Sequence, residues 1–372
     1  MRILHVSDCY APRTGGIETQ VRDLARAQVA EGHEVHVLTA TPGPGGERGG
    51  LVTDDEGVQV HRLAVRLPFD LPVNPAAPPR MRLLVRGLAP DVVHVHAGVV
   101  SPFAYDGARA ARAERVPLAI TWHCMLDGAV PALRALVRLG GWHRSPVALS
   151  AVSAAAADRV RDVFGVPVGV MPNGMDLATW VPGPDRPAGG PLRCVATMRL
   201  APRKRGQALL AIVEDAVAQL EPGALRVDVI GDGPSRAGMA RRLVRRGLVD
   251  VVTLRGRLTR EQVRAEYDDA DVFLAPAVLE AFGIAALEAR AAGLVVVARR
   301  GTGIEEFITD GVDGLLVDDD ACMTRAVVHL ATDRGLLDRL RSHARLHRPL
   351  QGWPVTLAAA RAEYARAGAL AG

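Results

Sequence analysis

The sequence predicts an α/β protein of two similar-sized domains, each organised around a parallel β-sheet. Three observations carry this prediction. Short apolar runs alternate with amphipathic helical stretches along the chain. A Pro- and Gly-rich break at 181–191 interrupts the alternation near its middle, and the alternation restarts directly beyond it. With 372 residues, 49% of them hydrophobic, the chain has material for two cores, which excludes a disordered or fibrous protein.

The first element is a strand at 3–6, followed by a Gly-rich turn and a helix at 17–31. Further strands are expected at 35–38, 58–63, 92–95, 118–121, 148–152 and 168–171. Beyond the break, strands at 193–197, 226–230, 251–255, 272–275, 294–298 and 314–317 enclose helices near 206–220, 235–246, 260–268, 281–292 and 304–309. The pattern reads as two Rossmann-like domains, 1–180 and 192–350, joined by a linker at 181–191. Ligands of such sheets sit at the carboxyl ends of the parallel strands, so the expected site is a cleft across which the two domains face each other.

Lys+Arg 45 against Asp+Glu 41 gives +4, too even a balance for a protein that grips nucleic acid. Cys9, Cys124, Cys194 and Cys322 form no C-x-x-C pair, which argues against a zinc ribbon or a disulfide framework and fits a reducing cytoplasm. No export signal is visible, and no run approaches the ~20 apolar residues that span a bilayer. The basic residues are nearly all arginine, so the single lysine, Lys204, stands out for its compact ammonium.

Three strand-to-loop corners carry chemistry. In Gly15-Gly16-Ile17-Glu18, glycines before a helix let backbone N–H groups approach a phosphate. The G-x-G-x-x-G dinucleotide fingerprint is absent, which lowers a nicotinamide reading. The second corner, 198–206, clusters Arg199, Arg203, Lys204 and Arg205 at the end of a strand. There Arg199 and Lys204 are placed to neutralise a diphosphate leaving group, with Lys204 and Arg205 exchangeable in that role. The third runs from Glu280 to Glu288. On one helix these carboxylates would stand ~12 Å apart, too far for a shared acid/base pair. Glu280 would then meet hydroxyls near the reacting end of a long ligand and Glu288 a ribose, while the amides of Phe282, Gly283 and Ile284 meet phosphate or sugar.

Taken in order, these motifs resemble the glycosyltransferase family 4 type of GT-B nucleotide-sugar transferase over nearly the whole chain. The likeness runs through Gly32-His33-Glu34-Val35, Asp91 to His94, Asn173-Gly174 with Asp176, Gly231-Asp232-Gly233, Arg255-Gly256, Asp271 to Pro276 and the segment from Gly311 to Val317. The resemblance implies a retaining, metal-independent transfer from an NDP-sugar (UDP or GDP) to an acceptor hydroxyl of a small molecule or lipid-linked glycan, with no further cofactor. It implies that Arg199 and Lys204 hold the diphosphate, Glu280 the donor sugar and Glu288 the ribose, while Gly16 meets phosphate through its amide. It also marks His123 as the active-site histidine and Arg257 and Leu258 as contacts to the base. A C-terminal helix, 355–372, would pack back on the first domain, so that the domains hinge near 181–191 and 351–354.

Two positions depart from the family pattern: Met198 stands where a glycine is usual, and Leu294-Val295 replaces Pro-Val after Gly293. Asp269 and Asp271 mimic a metal-binding D-x-D but precede a strand, so they read as turn residues. The rival readings are a nucleotide-sugar-binding protein without transferase activity and a GT-B sugar isomerase. Arginines interleaved with apolar residues at 78–86 and 134–138 raise peripheral contact with the inner membrane face and a lipid-linked acceptor.

Overall fold

The computed structural model describes residues 1–13, 15–66, 71–184 and 189–372. It divides into two compact units: Met1–Gly174 with Gln351–Gly372, and Met175–Leu350. Residues 175–180 therefore cluster with the second unit. Arg348 explains this, since its guanidinium donates to the carbonyls of Leu177 and Trp180. Part of the expected linker, 185–188, lies outside the described residues.

The first unit comprises β1 (Arg2–Ser7), α1 (Gly16–Ala30), β2 (Glu34–Thr39), β3 (Leu51–Asp55), β4 (Val58–Arg62), α2 (Ala77–Leu88), β5 (Val92–Ala97), α3 (Pro102–Ala113), β6 (Leu118–Trp122), α4 (Val130–Leu139), β7 (Ala148–Ala151), α5 (Ala154–Phe164) and β8 (Gly169–Val170). Its sheet runs β3-β4-β2-β1-β5-β6-β7-β8. All pairings are parallel except β3–β4, an antiparallel hairpin. The mixed polar run Leu51–Asp55 hid β3, because an exposed edge strand needs no continuous apolar stretch.

The second unit comprises β9 (Leu192–Thr197), α6 (Gly206–Val217), β10 (Leu225–Ile230), α7 (Arg236–Arg246), β11 (Val252–Gly256), α8 (Arg260–Asp268), β12 (Val272–Ala275), α9 (Ile284–Ala291), β13 (Val295–Arg299), β14 (Gly314–Val317), α10 (Asp320–Thr332) and α11 (Arg334–Leu346). Its six-stranded sheet has the order β11-β10-β9-β12-β13-β14, and every pairing is parallel. Two expected helices differ. The stretch predicted at 304–309 is only a short 3₁₀ turn at Gly303–Glu306, and the helix predicted at 281–292 begins at Ile284. Gly283 sets that later start by adopting φ +87° as the N-cap.

A last helix, α12 (Trp353–Ala371), returns to the first unit. Leu357, Ala360, Tyr364 and Ala367 pack there with Ile3, Leu24, Val92, Ala119 and Ala148. Its buried positions fall on one side at spacings of three and four, the stripe that a helix lays on a sheet.

Candidate functional site

The carboxyl ends of β9, β11 and β12 bring the candidate residues of the second unit together. The chain leaves β9 through Met198, whose amide donates to the Ile230 carbonyl at 3.0 Å, while Leu200 N–H reaches the Asp232 carbonyl at 2.9 Å. These bonds draw the 198–200 loop against the loop after β10. A Cβ on Gly231 would sit 1.9 Å from the Met198 carbonyl, and one on Gly233 would sit 2.6 Å from that of Leu200. Close backbone approach thus rests on Gly231 and Gly233, and Met198 is accommodated with its side chain on the core.

Lys204 ends a 3₁₀ turn, Pro202–Lys204, and its ammonium donates to Glu280 Oε2 from the loop after β12. Both side chains are about one-fifth exposed, 22% and 20%, so the pair is shielded but still reachable. Arg205, in the left-handed region at φ +61°, points elsewhere. Its guanidinium grips both Asp320 oxygens at 2.7 and 2.8 Å and donates to the Pro276 carbonyl at 3.0 Å. Those Arg205 bonds, with Arg299 beside them, hold the Asp320 carboxyl below its usual range. The two cations that sequence left exchangeable therefore have different partners. Arg199 is exposed, and its guanidinium has no partner among the described residues.

Glu280 lies outside α9, so Glu280 and Glu288 do not share one helix face. The amides of Phe282, Gly283 and Ile284, together with Ala285 and Ala286, have no acceptor among the described residues, leaving an open helix start beside Glu280. Glu288 is half-buried on α9, and burial pushes its carboxyl up to about 7, with Arg260 opposing the shift. Next to it the buried Tyr267 hydroxyl donates to Thr197 Oγ1 at 3.0 Å. Arg257, exposed, and Leu258, half-buried, follow Gly256 at the end of β11. Asp271 supports the sheet: its carboxylate accepts from the Arg193 amide at 3.0 Å and from Arg341 at 3.1 Å.

In the first unit, Gly15 is the N-cap of α1 and Gly16 its first residue. Gly15 has φ 176°, extended backbone that any residue adopts, so its value is the lack of a side chain at the helix start. Thr14 lies outside the described residues. His123 follows β6, and its amide donates to the Ala97 carbonyl at 2.9 Å. Its ring contacts His96, and burial lowers its pKa to about 4.

The expectation of no metal cluster meets a grouping that sequence distance concealed: His5, His94 and His96 place ligand-capable nitrogens within 4.8 Å of one another. In the basic stripes, Arg82 and Arg86 both pair with Glu114 at 3.0 Å, and Arg134 donates to the Asp162 carbonyl at 2.8 Å. Leu136 and Leu139 on α4 remain exposed at 63% and 86%. No described helix is long and apolar enough to cross a membrane.

Sequence reasoning missed Asp320, the partner of Arg205, and the histidines around His123. Asp320 is 115 residues from Arg205, and no local pattern joins them. For the histidines a signal existed: His94 and His96 are two apart on one strand, which puts both on the same face.

The profile of Glycosyltransferase Family 4 matches residues 14–179, and that of Glycosyl transferases group 1 matches residues 191–333. A D-inositol 3-phosphate glycosyltransferase of Streptomyces bingchenggensis is 30% identical, covering 99% of this chain and 89% of its own. A GDP-mannose-dependent α-(1-6)-phosphatidylinositol monomannoside mannosyltransferase of Mycolicibacterium smegmatis is 28% identical, over 89% of each chain. Among solved structures, a Rickettsia africae glycosyltransferase superimposes with a TM-score of 0.76 at 16% identity, covering 98% of both chains. Anabaena HepE, in complex with UDP and glucose, gives 0.72 at 19% identity, covering 97% of this chain and 99% of its own.

Proposed function

The chain belongs to the family 4 glycosyltransferases, a GT-B family, and from that premise we propose that it moves a hexosyl group from an NDP-sugar to an acceptor hydroxyl with retention of configuration. One observation carries the donor reading: at the strand ends of the second unit a shielded Lys204–Glu280 pair occurs together with an Arg199 guanidinium and N-terminal amides of α9 that have no partner among the described residues.

In this reading Arg199 and Lys204 face the diphosphate and stabilise the charge that grows on it as the glycosyl bond breaks. Lys204 is neutralised by Glu280 in the free protein, so Arg199 supplies the uncompensated attraction for an incoming anion. Glu280 then meets a sugar hydroxyl and Glu288 the ribose. Arg205 acts through Asp320 and the Pro276 carbonyl, holding the β9 and β12 loops in register for Lys204 and Glu280. By family likeness, His123 and the N-terminal amides of α1 beginning at Gly16 are the first unit's own candidates for sugar and phosphate contact. The names of the relatives support a GDP- or UDP-linked donor and an inositol- or lipid-linked acceptor.

A screen of UDP- and GDP-sugars for thermal stabilisation tests the reading, since a ligand that binds only the folded state must raise the melting temperature. Stabilisation by one nucleotide series, lost in Arg199→Ala, supports it. No response to any NDP-sugar, with fold intact, refutes it.

A further inference from the structure

The parallel register of β1, β5, β6 and β7 lines one face of the first sheet with polar side chains. His5 lies opposite His94, His96 opposite Thr121, and Thr121 opposite Ser150. His5, His94, Thr121 and Ser150 have no exposed surface, and His96 is 2% exposed. Buried polar groups of this kind must find partners. They do so in one continuous series: His123 Nε2 to His96 Nδ1 at 3.0 Å, His96 Nε2 to His5 Nδ1 at 2.9 Å, and His5 Nε2 to Gln28 Oε1 at 2.7 Å. Beyond that, Gln28 Nε2 donates to the Tyr364 hydroxyl at 2.8 Å, Tyr364 meets His94 Nδ1 at 2.9 Å, and His94 Nε2 meets Thr121 Oγ1 at 2.8 Å.

A neutral imidazole has one donor and one acceptor nitrogen, so fixing one end of such a series fixes the rest. Gln28 supplies that end. Its Oε1 only accepts, so His5 carries its proton on Nε2 and accepts on Nδ1. His96 must then donate from Nε2 and accept on Nδ1, which makes His123 the donor from Nε2. On the other side the Gln28 amide donates to Tyr364, whose own proton goes to His94 Nδ1. Burial supports the neutral state throughout, lowering His5 and His123 to about 4 and His94 and His96 well below their ordinary value.

We propose that Gln28, His5 and His96 are positioning residues that lock His123 as its Nε2–H tautomer, leaving Nδ1 as the acceptor it offers to a substrate hydroxyl. Nδ1 of His123 has no partner among the described residues, and the residue is only half-buried. The substrate part of this statement rests on the reading of His123 as an active-site residue; the tautomer part does not. Reversal needs the Gln28 amide to turn over and every proton in the series to shift, so the state of His123 is set by α1 and, through Tyr364, by α12. The closeness of His5, His94 and His96 has the same origin. All six of their ring nitrogens already have hydrogen-bond partners, which a divalent cation would have to displace.

Long-range ¹H–¹⁵N spectra of the full chain labelled in its histidines read the tautomers directly. At pH 7 the expected result is protonated Nε2 and bare, pyridine-type Nδ1 on His5, His96 and His123, and a Gln28→Met variant in which His123 becomes a tautomer mixture. A protonated Nδ1 on any of the three in the unmodified protein overturns the proposal. So does a His123 signal unchanged in folded Gln28→Met, or stoichiometric zinc uptake that shifts these resonances. The unmodified protein decides the matter even if the variant does not fold. A His123→Ala protein with full transfer activity would remove the active-site reading while leaving the tautomer result to stand or fall by the spectra.

Discussion

The Lys204 ammonium donates to Glu280, a residue 76 positions farther along the chain. This single contact ties the loop after β9 to the loop after β12. Arg205, one residue on, ties the same two loops through the Pro276 carbonyl and extends the connection to Asp320. The neighbouring cations thus have different partners: Lys204 meets the Glu280 carboxylate, whereas Arg205 meets the Pro276 carbonyl and Asp320.

Removing Arg199 and removing Lys204 should have different side effects. Each alanine variant should lose transfer by orders of magnitude, since one missing donor to a developing anion costs about 3–4 kcal/mol of barrier. Arg199→Ala should keep the melting temperature of the parent, because its guanidinium makes no bond among the described residues. Lys204→Ala leaves the Glu280 carboxylate without its cation and should melt lower. NDP-release kinetics and calorimetry on the same preparations check both outcomes.

Arg205→Ala should act mainly through structure. The bidentate bond to Asp320 is partly exposed, at 28% and 38%, so its loss costs about 1–2 kcal/mol after solvent screening. Arg205→Lys should recover little, because an ammonium cannot span both carboxylate oxygens. Chemical denaturation measures the loss, and a normal midpoint in Arg205→Ala would count against this role.

Glu288 gives a pH signature. Its folded pKa is raised from 4.5 to about 7, so the folded state holds the proton more tightly than the unfolded chain. Stability from this group is complete below about 4.5 and is lost as pH rises through about 7. Glu288→Gln should therefore gain on the parent protein between these values and hold that gain above them, by at most about 3 kcal/mol. Melting temperatures of both proteins from pH 4 to 8 give the comparison. A constant difference across the range would contradict the assignment.

Gly303→Ala should be far more damaging than Gly301→Ala. A Cβ at 303 falls 2.0 Å from the Ala281 carbonyl, in the loop that leads from Glu280 to α9. At 301 the space is open and only the positive φ of 75° resists, a cost of about 1 kcal/mol. Gly303→Ala should also weaken nucleotide binding. Equal melting temperatures for the two variants would argue against the close approach at 303.

An α-linked donor should give an α-linked product, and transfer should continue after exhaustive EDTA treatment. NMR of the product reports the configuration, and an inverted linkage would separate the mechanism from the family membership.

The sequence by itself determined the parallel strands of the two sheets, the motif-bearing strand ends and the family. Those features are local: an apolar run of four to six residues, a glycine at a turn and a cation after a strand can each be read within one window. It did not determine which cation meets Glu280, because Lys204 and Arg205 are adjacent and only the left-handed turn at 205 sends them to different partners. It began the helix that carries Glu288 at 281, whereas Gly283 delays the start to Ile284 and leaves Glu280 in the loop. Nor did it reveal the series from His123 to Tyr364, which draws on β1, α1, β5, β6 and α12 and exists only once strand register sets His5 beside His94. Tertiary structure alone decides such contacts, because register and helix packing choose which buried donors and acceptors meet, and burial then leaves them no partner in water.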